Sequence, residues 1–232
     1  MAAADAEGQL DNPIWFCLSS RHAHFAQGGE LARRYLSTIS PIGALSDVGA
    51  ASVAALEAVV EVGGDFAMFG SSVPDLPANW ETLYSSRLTQ MIRPDRSPLP
   101  EGDAAASILG PADVAEMQAL VELTKPGPFR PRTIELGTYV GIREGGRLLA
   151  MAGERMWVGG FREVSAVCTH PDAQRRGCAR VLVACIVNRM LRAGETALLH
   201  VESSNLRAID LYRALGFVPR AQFPLLYAKR TG

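Results

Sequence analysis

The sequence predicts a mixed α/β protein in two parts, and three observations support this. Runs with an apolar residue every three or four positions, typical of helices, alternate with short β-branched or apolar runs, typical of strands. The proline-rich stretch "RPDRSPLPEGD" (93–103) interrupts both patterns. The chain has 232 residues, 48% of them hydrophobic, which is enough for a sizeable core. We therefore predict an N-terminal α/β domain over residues 1–102 and a second domain over residues 103–232.

Composition excludes several classes of protein. The 23 Lys and Arg residues nearly balance the 24 Asp and Glu residues, so no broad basic face for nucleic acid is indicated. No apolar run approaches the roughly 18 residues of a membrane span, and "MAAADAEGQLDN" lacks the apolar centre of a secretory signal. We expect a soluble, cytoplasmic protein with no nucleic-acid or membrane partner. Its oligomeric state is not indicated.

The cysteines and the histidine pair give no sign of a metal site. The four cysteines show neither a C-x-x-C pair nor the spacing of a zinc site or a disulfide framework. We interpret them as reduced, buried hydrophobic residues. His22 and His24 have no further ligand nearby in the sequence, and we interpret them as ordinary strand residues.

The first part alternates predicted strands and helices. The predicted strands are 14–18 and "DFAMFG" (65–70), and the predicted helices are "GELARRYLSTI" (29–39), "ASVAALEAVVEV" (51–62) and "ANWETLYSSRLTQMI" (78–92). The last of these is assigned from an apolar stripe through Trp80, Leu83, Tyr84 and Leu88.

The second part has a more regular pattern. We predict strands at "ASIL" (106–109), "REVSAVCT" (162–169), "TALLHV" (196–201) and "FPLLYAK" (223–229), and helices at 110–123, 178–191 and 205–215. A hairpin over 138–158 turns at Gly145 and Gly146, and the proline-rich "TKPGPFRPR" (124–132) connects it to the preceding helix.

The stretch "HPDAQRRGCAR" (170–180) lies between a predicted strand and an amphipathic helix. The first backbone amides of a helix lack intrahelical partners and the helix dipole is positive there, so an anion is stabilised by roughly 0.3–1 kcal/mol per charge. Gly177 lets the backbone approach such an anion, and Ala179 leaves space in the next turn. The alternative is an exposed basic loop that only caps the helix.

A second motif, "NLRAIDLYRALGF" (205–217), decides between these interpretations. Gln174, Gly177 and Ala179 match the pattern Q/R-x-x-G-x-G/A, and this segment matches N-x-x-A-x-x-L-Y-x-x-x-G-F. Through these two motifs the chain resembles the GNAT acetyltransferase superfamily, from about residue 104 to 232. The resemblance is greatest to the branch that contains glycine N-acyltransferases. It implies the GNAT fold, a mainly antiparallel twisted sheet flanked by helices, with an additional N-terminal half.

The resemblance also implies acetyl-CoA as co-substrate, with no metal. Val167, Cys168 and Thr169 would pair with its pantetheine arm through backbone groups. The amides from Arg175 to Arg180 would bind its pyrophosphate, while Asn205 would contact the pantetheine side and Tyr212 would lie near the thioester sulfur. The full set implied for the cofactor is Val167, Cys168, Thr169, Gln174, Arg175, Arg176, Gly177, Cys178, Ala179, Arg180, Asn205 and Tyr212.

The reaction implied is direct transfer of the acetyl group to an amine, without a covalent enzyme intermediate, so Cys168 and Cys178 are expected to be structural. Tyr212 is the expected general acid for the departing thiolate. Glu163 is the expected base, since histone acetyltransferases of this superfamily carry their base at the matching place; a solvent-facing glutamate is the alternative. By alternation along the strand, Glu163 should share a face with Ser165, Val167 and Thr169. His200 is the second candidate base, and a packed core histidine is the alternative.

We expect a small-molecule N-acetyltransferase, an acyltransferase whose acceptor pocket is shaped by the N-terminal half and by "TKPGPFRPR", with Phe129 and Arg130 reaching it. Two other functions remain open. One is a protein or peptide N-acetyltransferase, and the other is a non-catalytic acyl-CoA sensor.

Overall fold

The computed structural model describes residues 7–100 and 106–232, and this part of the chain is built around two sheets. The strands are β1 (Ala26–Gly28), β2 (Ala32–Tyr35), β3 (Gly43–Leu45), β4 (Asp65–Phe69), β5 (Trp80–Ile92), β6 (Ser107–Leu109), β7 (Tyr139–Glu144), β8 (Arg147–Val158), β9 (Phe161–Thr169), β10 (Thr196–Glu202) and β11 (Val218–Arg230). The α-helices are α1 (Pro13–Leu18), α2 (Ala50–Leu56), α3 (Val114–Thr124), α4 (Cys178–Arg192) and α5 (Leu206–Ala214).

The main sheet has eight strands in the order β4-β11-β5-β10-β9-β8-β7-β6, and a small antiparallel sheet holds β1, β2 and β3. Within the described residues every neighbouring pair of the main sheet is antiparallel except β9 and β10, which run parallel. This arrangement is the mixed, mainly antiparallel sheet flanked by helices that was expected from the sequence. The fold-class prediction is therefore confirmed.

Helices cover both faces of the main sheet. The apolar side of α4, with Leu182, Val183 and Ile186, packs on one face in a cluster that also contains Ile209 and Tyr212 of α5. On the opposite face, α3 packs through Met117 and Leu120, and the N-terminal segment packs around Tyr35 and Ile39. The strands near the centre of the sheet thus separate two differently built surfaces.

The predicted elements of the second part are confirmed. The strand at 106–109 is β6, the hairpin is β7 and β8, and the strands at 162–169, 196–201 and 223–229 lie in β9, β10 and β11. The hairpin turns at Gly145 and Gly146, both with positive φ (58° and 83°), as a two-residue turn requires. The three predicted helices are α4, α5 and α3, the last preceded by a 3-10 turn over Pro111–Asp113.

Three of the helices and strands predicted for the first part are wrong. Residues 14–18 lie in helix α1, because Pro13 starts a helix well and Ile14, Cys17 and Leu18 then fall on one buried face. The predicted helix 29–39 contains strand β2, which pairs with both β1 and β3. The predicted helix 78–92 is strand β5, paired with β10 and β11, so tertiary pairing overrides the apparent helical stripe.

The predictions for "DFAMFG" and for the alanine-rich helix are confirmed, as β4 and α2, although α2 ends at Leu56. His22 and His24 do not lie in a strand. His22 is buried beside the 3-10 turn Ala23–Phe25, with its Nδ1 2.9 Å from the Tyr35 hydroxyl.

The predicted boundary between residues 102 and 103 falls in 101–105, which lie outside the described residues. Strands from both sides of this boundary meet in the main sheet. β5, from the N-terminal side, lies between β10 and β11, which come from the C-terminal side.

Candidate active site

Strands β9 and β10 separate part-way along their length. Their parallel pairing runs from Thr196 opposite Phe161 to Leu198 opposite Glu163 and then stops, while β9 continues to Thr169 and β10 to Glu202. Among the described residues, no strand pairs with this edge of β9 beyond Glu163. Backbone groups there can accept an extended ligand as an additional strand would be accepted.

A β-bulge lies beside this opening. Ser165 pairs with Gly153 and Cys168 with Met151, so two residues of β9, Ala166 and Val167, oppose one residue of β8. Ala166 has a φ of 51°, in the left-handed region, which is uncommon for a residue with a Cβ. Strained backbone of this kind is concentrated at functional sites.

The bulge corrects one sequence prediction. Val167 packs with Val164 in the cluster on the α4 face, whereas Cys168 packs in the cluster on the α3 face. Glu163 therefore does not share a face with Val167, because the extra residue shifts the alternation by one.

The start of α4 offers unpaired backbone amides. Gly177 is the N-cap residue, with φ of 80°, and no side chain caps the helix. Arg175 is also left-handed, with φ of 64°. In the described part of the chain, the amides of residues 175–180 have no hydrogen-bond acceptor. Free amides at a helix start, next to left-handed residues, are of the kind that binds phosphate.

The side chains around this helix start are partly engaged elsewhere. Arg176 donates to both carboxylate oxygens of Glu144, at 2.9 and 3.0 Å, and Gln174 accepts from Arg207 at 3.4 Å. Cys178 is buried, with its Sγ 3.8 Å from the Ala173 carbonyl. The backbone, more than the arginine side chains, is free for a ligand here.

Helix α5 packs through Tyr212 on the same face of the sheet as α4, and Asn205 lies at the start of α5. Asn205 is the N-cap residue, and its Oδ1 accepts from the Ala208 amide at 3.1 Å. The Tyr212 ring is buried edge-on against Phe217, with 5.9 Å between ring centroids. Burial raises the pKa of Tyr212 to about 12. Its hydroxyl has no hydrogen-bond partner among the described residues, so it is a protonated donor available to a ligand.

On the opposite face, Glu163 has no exposed surface. Arg155 donates to it through Nε at 2.7 Å and Nη2 at 2.5 Å, and His200 Nδ1 lies 2.7 Å from Oε1. Burial alone would raise the pKa of Glu163, but the charge and hydrogen bonds of Arg155, with the hydrogen bond from His200, lower it to about 2. The carboxylate is neither solvent-facing nor free, which excludes the solvent-facing alternative.

The hydrogen bonds fix the tautomer of His200. Gln90 Oε1 accepts from Arg220 at 2.8 Å, which fixes the orientation of the Gln90 amide. Gln90 Nε2 is therefore the donor to the Leu10 carbonyl, at 3.0 Å, and to His200 Nε2, at 2.9 Å. His200 Nε2 therefore accepts, and Nδ1–H donates to Glu163. Burial also lowers the pKa of His200, despite the hydrogen bond to Glu163. Because an amide cannot accept a proton, this network holds its members in place and does not relay protons to solvent.

A narrow cavity of about 30 Å³ lies on the same face, next to the bulge. Its walls come from α3, from residues 126–129, from the N-terminal half and from the sheet. They include Ser40, Phe129, Tyr139, Arg155, Ser165 and Ala166. Phe129 lines this cavity, and its expected contact with an acceptor stays a prediction. Arg130 instead pairs with Asp65, which also accepts from the Tyr227 hydroxyl.

Sequence reasoning missed Arg155, Gln90 and Arg220, which lie far apart in the sequence. The one available signal was Arg155 itself, a charge inside the apolar run "LLAMAGERMWV". The buried thiol of Cys168 has its pKa raised to about 11 by burial, which matches the expectation of a structural cysteine.

The described residues contain no group of three or more His, Cys, Asp or Glu side chains arranged to hold a metal ion. No helix in the described ranges is long and apolar enough to cross a bilayer.

Comparisons with known proteins agree with this geometry. A family model described as FR47-like protein matches residues 139–223. A crystal structure from Novosphingobium aromaticivorans, of a protein assigned to the GNAT family of acetyltransferases, is 31% identical; the match covers 96% of this chain and 99% of that chain, with a TM-score of 0.87. A GCN5-related N-acetyltransferase from Kribbella flavida is 17% identical over 100% of this chain and 96% of that chain, with a TM-score of 0.60, which shows a shared fold. No curated protein matches the sequence significantly.

Proposed function

The chain belongs to the GNAT family of acetyltransferases, and on this premise we propose that it is an acetyl-CoA-dependent N-acetyltransferase acting on the amine of a small molecule. The observation that carries the proposal is the opening between β9 and β10. It has a helix start with free amides on one face and a narrow cavity on the other. A donor along β9 and an acceptor in the cavity would meet at the Ala166 bulge.

The residues on the α4 face fit acetyl-CoA. When bound, acetyl-CoA supplies an activated acetyl thioester. The free amides of residues 175–180 hold its pyrophosphate, and the backbone of Val167, Cys168 and Thr169 pairs with its pantetheine arm, since β9 has no strand partner on that side. Asn205, at the start of α5, contacts the same arm. The Tyr212 hydroxyl, unpartnered in the described residues, gives a proton to the departing sulfur.

The transfer is direct in this proposal. The acceptor nitrogen forms the new bond to the acetyl carbon as the carbon–sulfur bond breaks, and no enzyme nucleophile is used. An amine with a pKa near 10.4 must first lose a proton, which costs roughly 4.6 kcal/mol at pH 7. Burial keeps Cys168 a thiol at this pH, which supports a mechanism without a cysteine nucleophile.

The arrangement of Glu163 favours a positioning role over the role of base. Both of its oxygens are occupied by Arg155, and a carboxylate with a pKa of about 2 is a very poor acceptor for a proton from an ammonium group. We propose that Glu163, held by His200, orients Arg155. The proton of the acceptor then passes to solvent.

The experiment that tests the function is a thiol-release screen with acetyl-CoA over amino acids, polyamines, aminoglycosides and short peptides. We expect acceptor-dependent release of CoA with small amines, and mass spectrometry of an N-acetylated product. Release with peptides alone would assign a peptide acetyltransferase. Acetyl-CoA binding without acceptor-dependent release would assign a sensor.

A further inference from the structure

Glu202, the last residue of β10, lies beside the opening between β9 and β10. Its Oε1 accepts from the Ser86 hydroxyl at 3.0 Å and from the Tyr84 hydroxyl at 3.3 Å. In the described part of the chain, Glu202 forms no ion pair and its Oε2 has no hydrogen-bond donor. Arg87 lies between Ser86 and Leu88 on β5, so alternation along the strand places it on the opposite face. Glu202 is thus a half-buried carboxylate that two neutral hydroxyls orient and no described cation compensates.

Glu202 lies on the face of the sheet that carries the proposed acceptor cavity. Leu198 packs in the cluster around Tyr35 and Ile39, opposite to α4. Alternation along β10 brings His200 and Glu202 to the same face as Leu198. The hydrogen bonds from β5 agree with this, because Leu88, the residue opposite Glu202, belongs to the same cluster.

Glu202 is also level with the segment of β9 that is proposed to pair with pantetheine. Pairing between the two strands ends with Leu198 opposite Glu163, and Glu202 lies four residues further along β10. β9 reaches the same distance at Cys168, because its bulge adds one residue relative to β8. An extended ligand in the opening takes the place of a strand, about 4.8 Å from the backbone of β10. The Glu202 carboxylate is therefore within reach of a group beside the proposed thioester.

The cavity beside the bulge holds only a small part of an acceptor. Its volume is about 30 Å³, close to the share of one water molecule in the liquid. Arg155, which lines it, is already paired with Glu163. The rest of an acceptor would therefore extend over β10 and β5. There Glu202 supplies a negative charge and the Tyr84 ring, 50% exposed, supplies an aromatic surface, and both favour a cationic group.

We propose that Glu202 binds a second, non-reacting ammonium group of the acceptor, and that the acceptors are small diamines or polyamines. This inference rests on the proposed function and names the substrate class of the same site. The reacting amine lies at the bulge and loses its proton to solvent, while the second ammonium group stays charged against Glu202. The carbon chain between the two nitrogens spans the opening, and the Tyr84 ring covers the chain next to Glu202.

The test compares diamines with monoamines of the same chain length. Thiol release with acetyl-CoA would measure kcat/KM for 1,3-diaminopropane against propylamine, and for putrescine against butylamine. After correction for the two equivalent amines of each diamine, we expect at least one diamine to be preferred by about tenfold or more, which corresponds to about 1.4 kcal/mol. Equal values for both pairs would overturn the proposal.

Glu202→Gln removes the charge but keeps an oxygen that can accept from Ser86 and Tyr84, so the local structure should persist and the urea midpoint should not change. The preference for the diamine should fall below about threefold. Tyr84→Phe removes one orienting hydroxyl and should reduce the preference by a smaller factor. Glu116→Gln is the matched control, because Glu116 lies on α3 and its partner Arg143 keeps Asp113. Retention of the full preference in Glu202→Gln would contradict the proposal.

The salt dependence gives a readout on the unmodified protein. At about 1 M NaCl the Debye length is about 3 Å, so a half-buried ion pair is weakened. The preference for the diamine should therefore fall as salt is added. A preference that stays constant would show that it does not arise from charge.

Calorimetry separates failure of this inference from failure of the proposed function. Putrescine and butylamine would be titrated into the protein saturated with CoA, and into its Glu202→Gln variant. If no amine releases thiol but putrescine binds through Glu202, the proposed function is wrong and the cation site stands. If monoamines and diamines are acetylated equally well, the function stands and the cation site is wrong.

Discussion

The two faces of the sheet at the opening between β9 and β10 present different chemical groups. On the α4 face, the groups proposed to bind acetyl-CoA are backbone amides from one short segment, residues 175–180, with no side-chain cap. On the other face, side chains from separate strands form a buried network of Arg155, Glu163, His200 and Gln90. The first face depends on local backbone conformation, and the second on the correct assembly of the whole sheet. Substitutions on the two faces should therefore affect different properties: acetyl-CoA binding on the α4 face and stability on the other face.

The largest expected effect is on the side-chain face. Glu163→Gln leaves Arg155 as a buried charge without its partner, and the free energy of unfolding should fall by roughly 3–5 kcal/mol in urea denaturation. Glu144→Gln is the control, because its pair with Arg176 is exposed and its loss should not change the stability measurably. Equal losses in the two variants would contradict a buried, structural role for Glu163.

The same variant tests the role of Glu163 in the reaction. If Glu163 only positions Arg155, the acidic limb of the kcat profile against pH should keep its midpoint in Glu163→Gln. Disappearance of that limb would show that Glu163 is the base after all.

The second effect concerns the backbone face. Gly177→Val puts a β-branched residue at a φ of 80°, where a valine is strained, so the amides should leave their present orientation. We expect acetyl-CoA to bind at least 100-fold more weakly by calorimetry, about 2.7 kcal/mol. Gly194→Val is a matched control at the other end of α4, with φ of 78° and equally open space. It should lose similar stability and retain binding. Arg175→Ala should only weaken binding.

A smaller effect, on kcat, is expected for a change at Tyr212, the residue proposed to give a proton to the departing sulfur. Tyr212→Phe removes the proton donor but keeps the packing against Phe217, so acetyl-CoA affinity should persist while kcat falls at least tenfold. Tyr227→Phe, which loses a hydroxyl bonded to Asp65, is the control. An unchanged kcat would remove Tyr212 from the mechanism.

The smallest effect is the pH dependence of stability. His22 and His200 are neutral in the folded protein near neutral pH. Burial lowers the pKa of His22 to about 4, and it also lowers the pKa of His200. The unfolded chain binds protons at these residues below about pH 6.5, so stability falls as the pH drops from 7 to 5.5, by about 1 kcal/mol for His22. His200→Gln should flatten this slope; an unchanged slope would show that His200 is not buried as a neutral residue. Glu163 adds a further loss below about pH 4.5, towards its folded pKa of about 2.

The difference between the faces also explains which features could be predicted from the sequence. The helix start at Gly177 and the helix of Tyr212 depend on neighbouring residues, and both were located correctly as elements. Glu163 and His200 were identified as candidates from the sequence, but their contacts with Arg155 and Gln90 could not be found, because these residues meet only through the order of the strands. β5 was predicted as a helix for the same reason: its apolar spacing is ambiguous, and its pairing with β10 and β11 is not visible in the local sequence.

The position of β5 has a consequence for biosynthesis. β5 is synthesised about a hundred residues before its neighbours β10 and β11, so this 13-residue strand leaves the ribosome without either partner. Contacts between such distant segments form slowly, and an unpaired strand is prone to pair with other chains. The nascent chain should therefore depend on chaperones until both β10 and β11 emerge. Expression yield should respond strongly to substitutions in β11, which is made after β10.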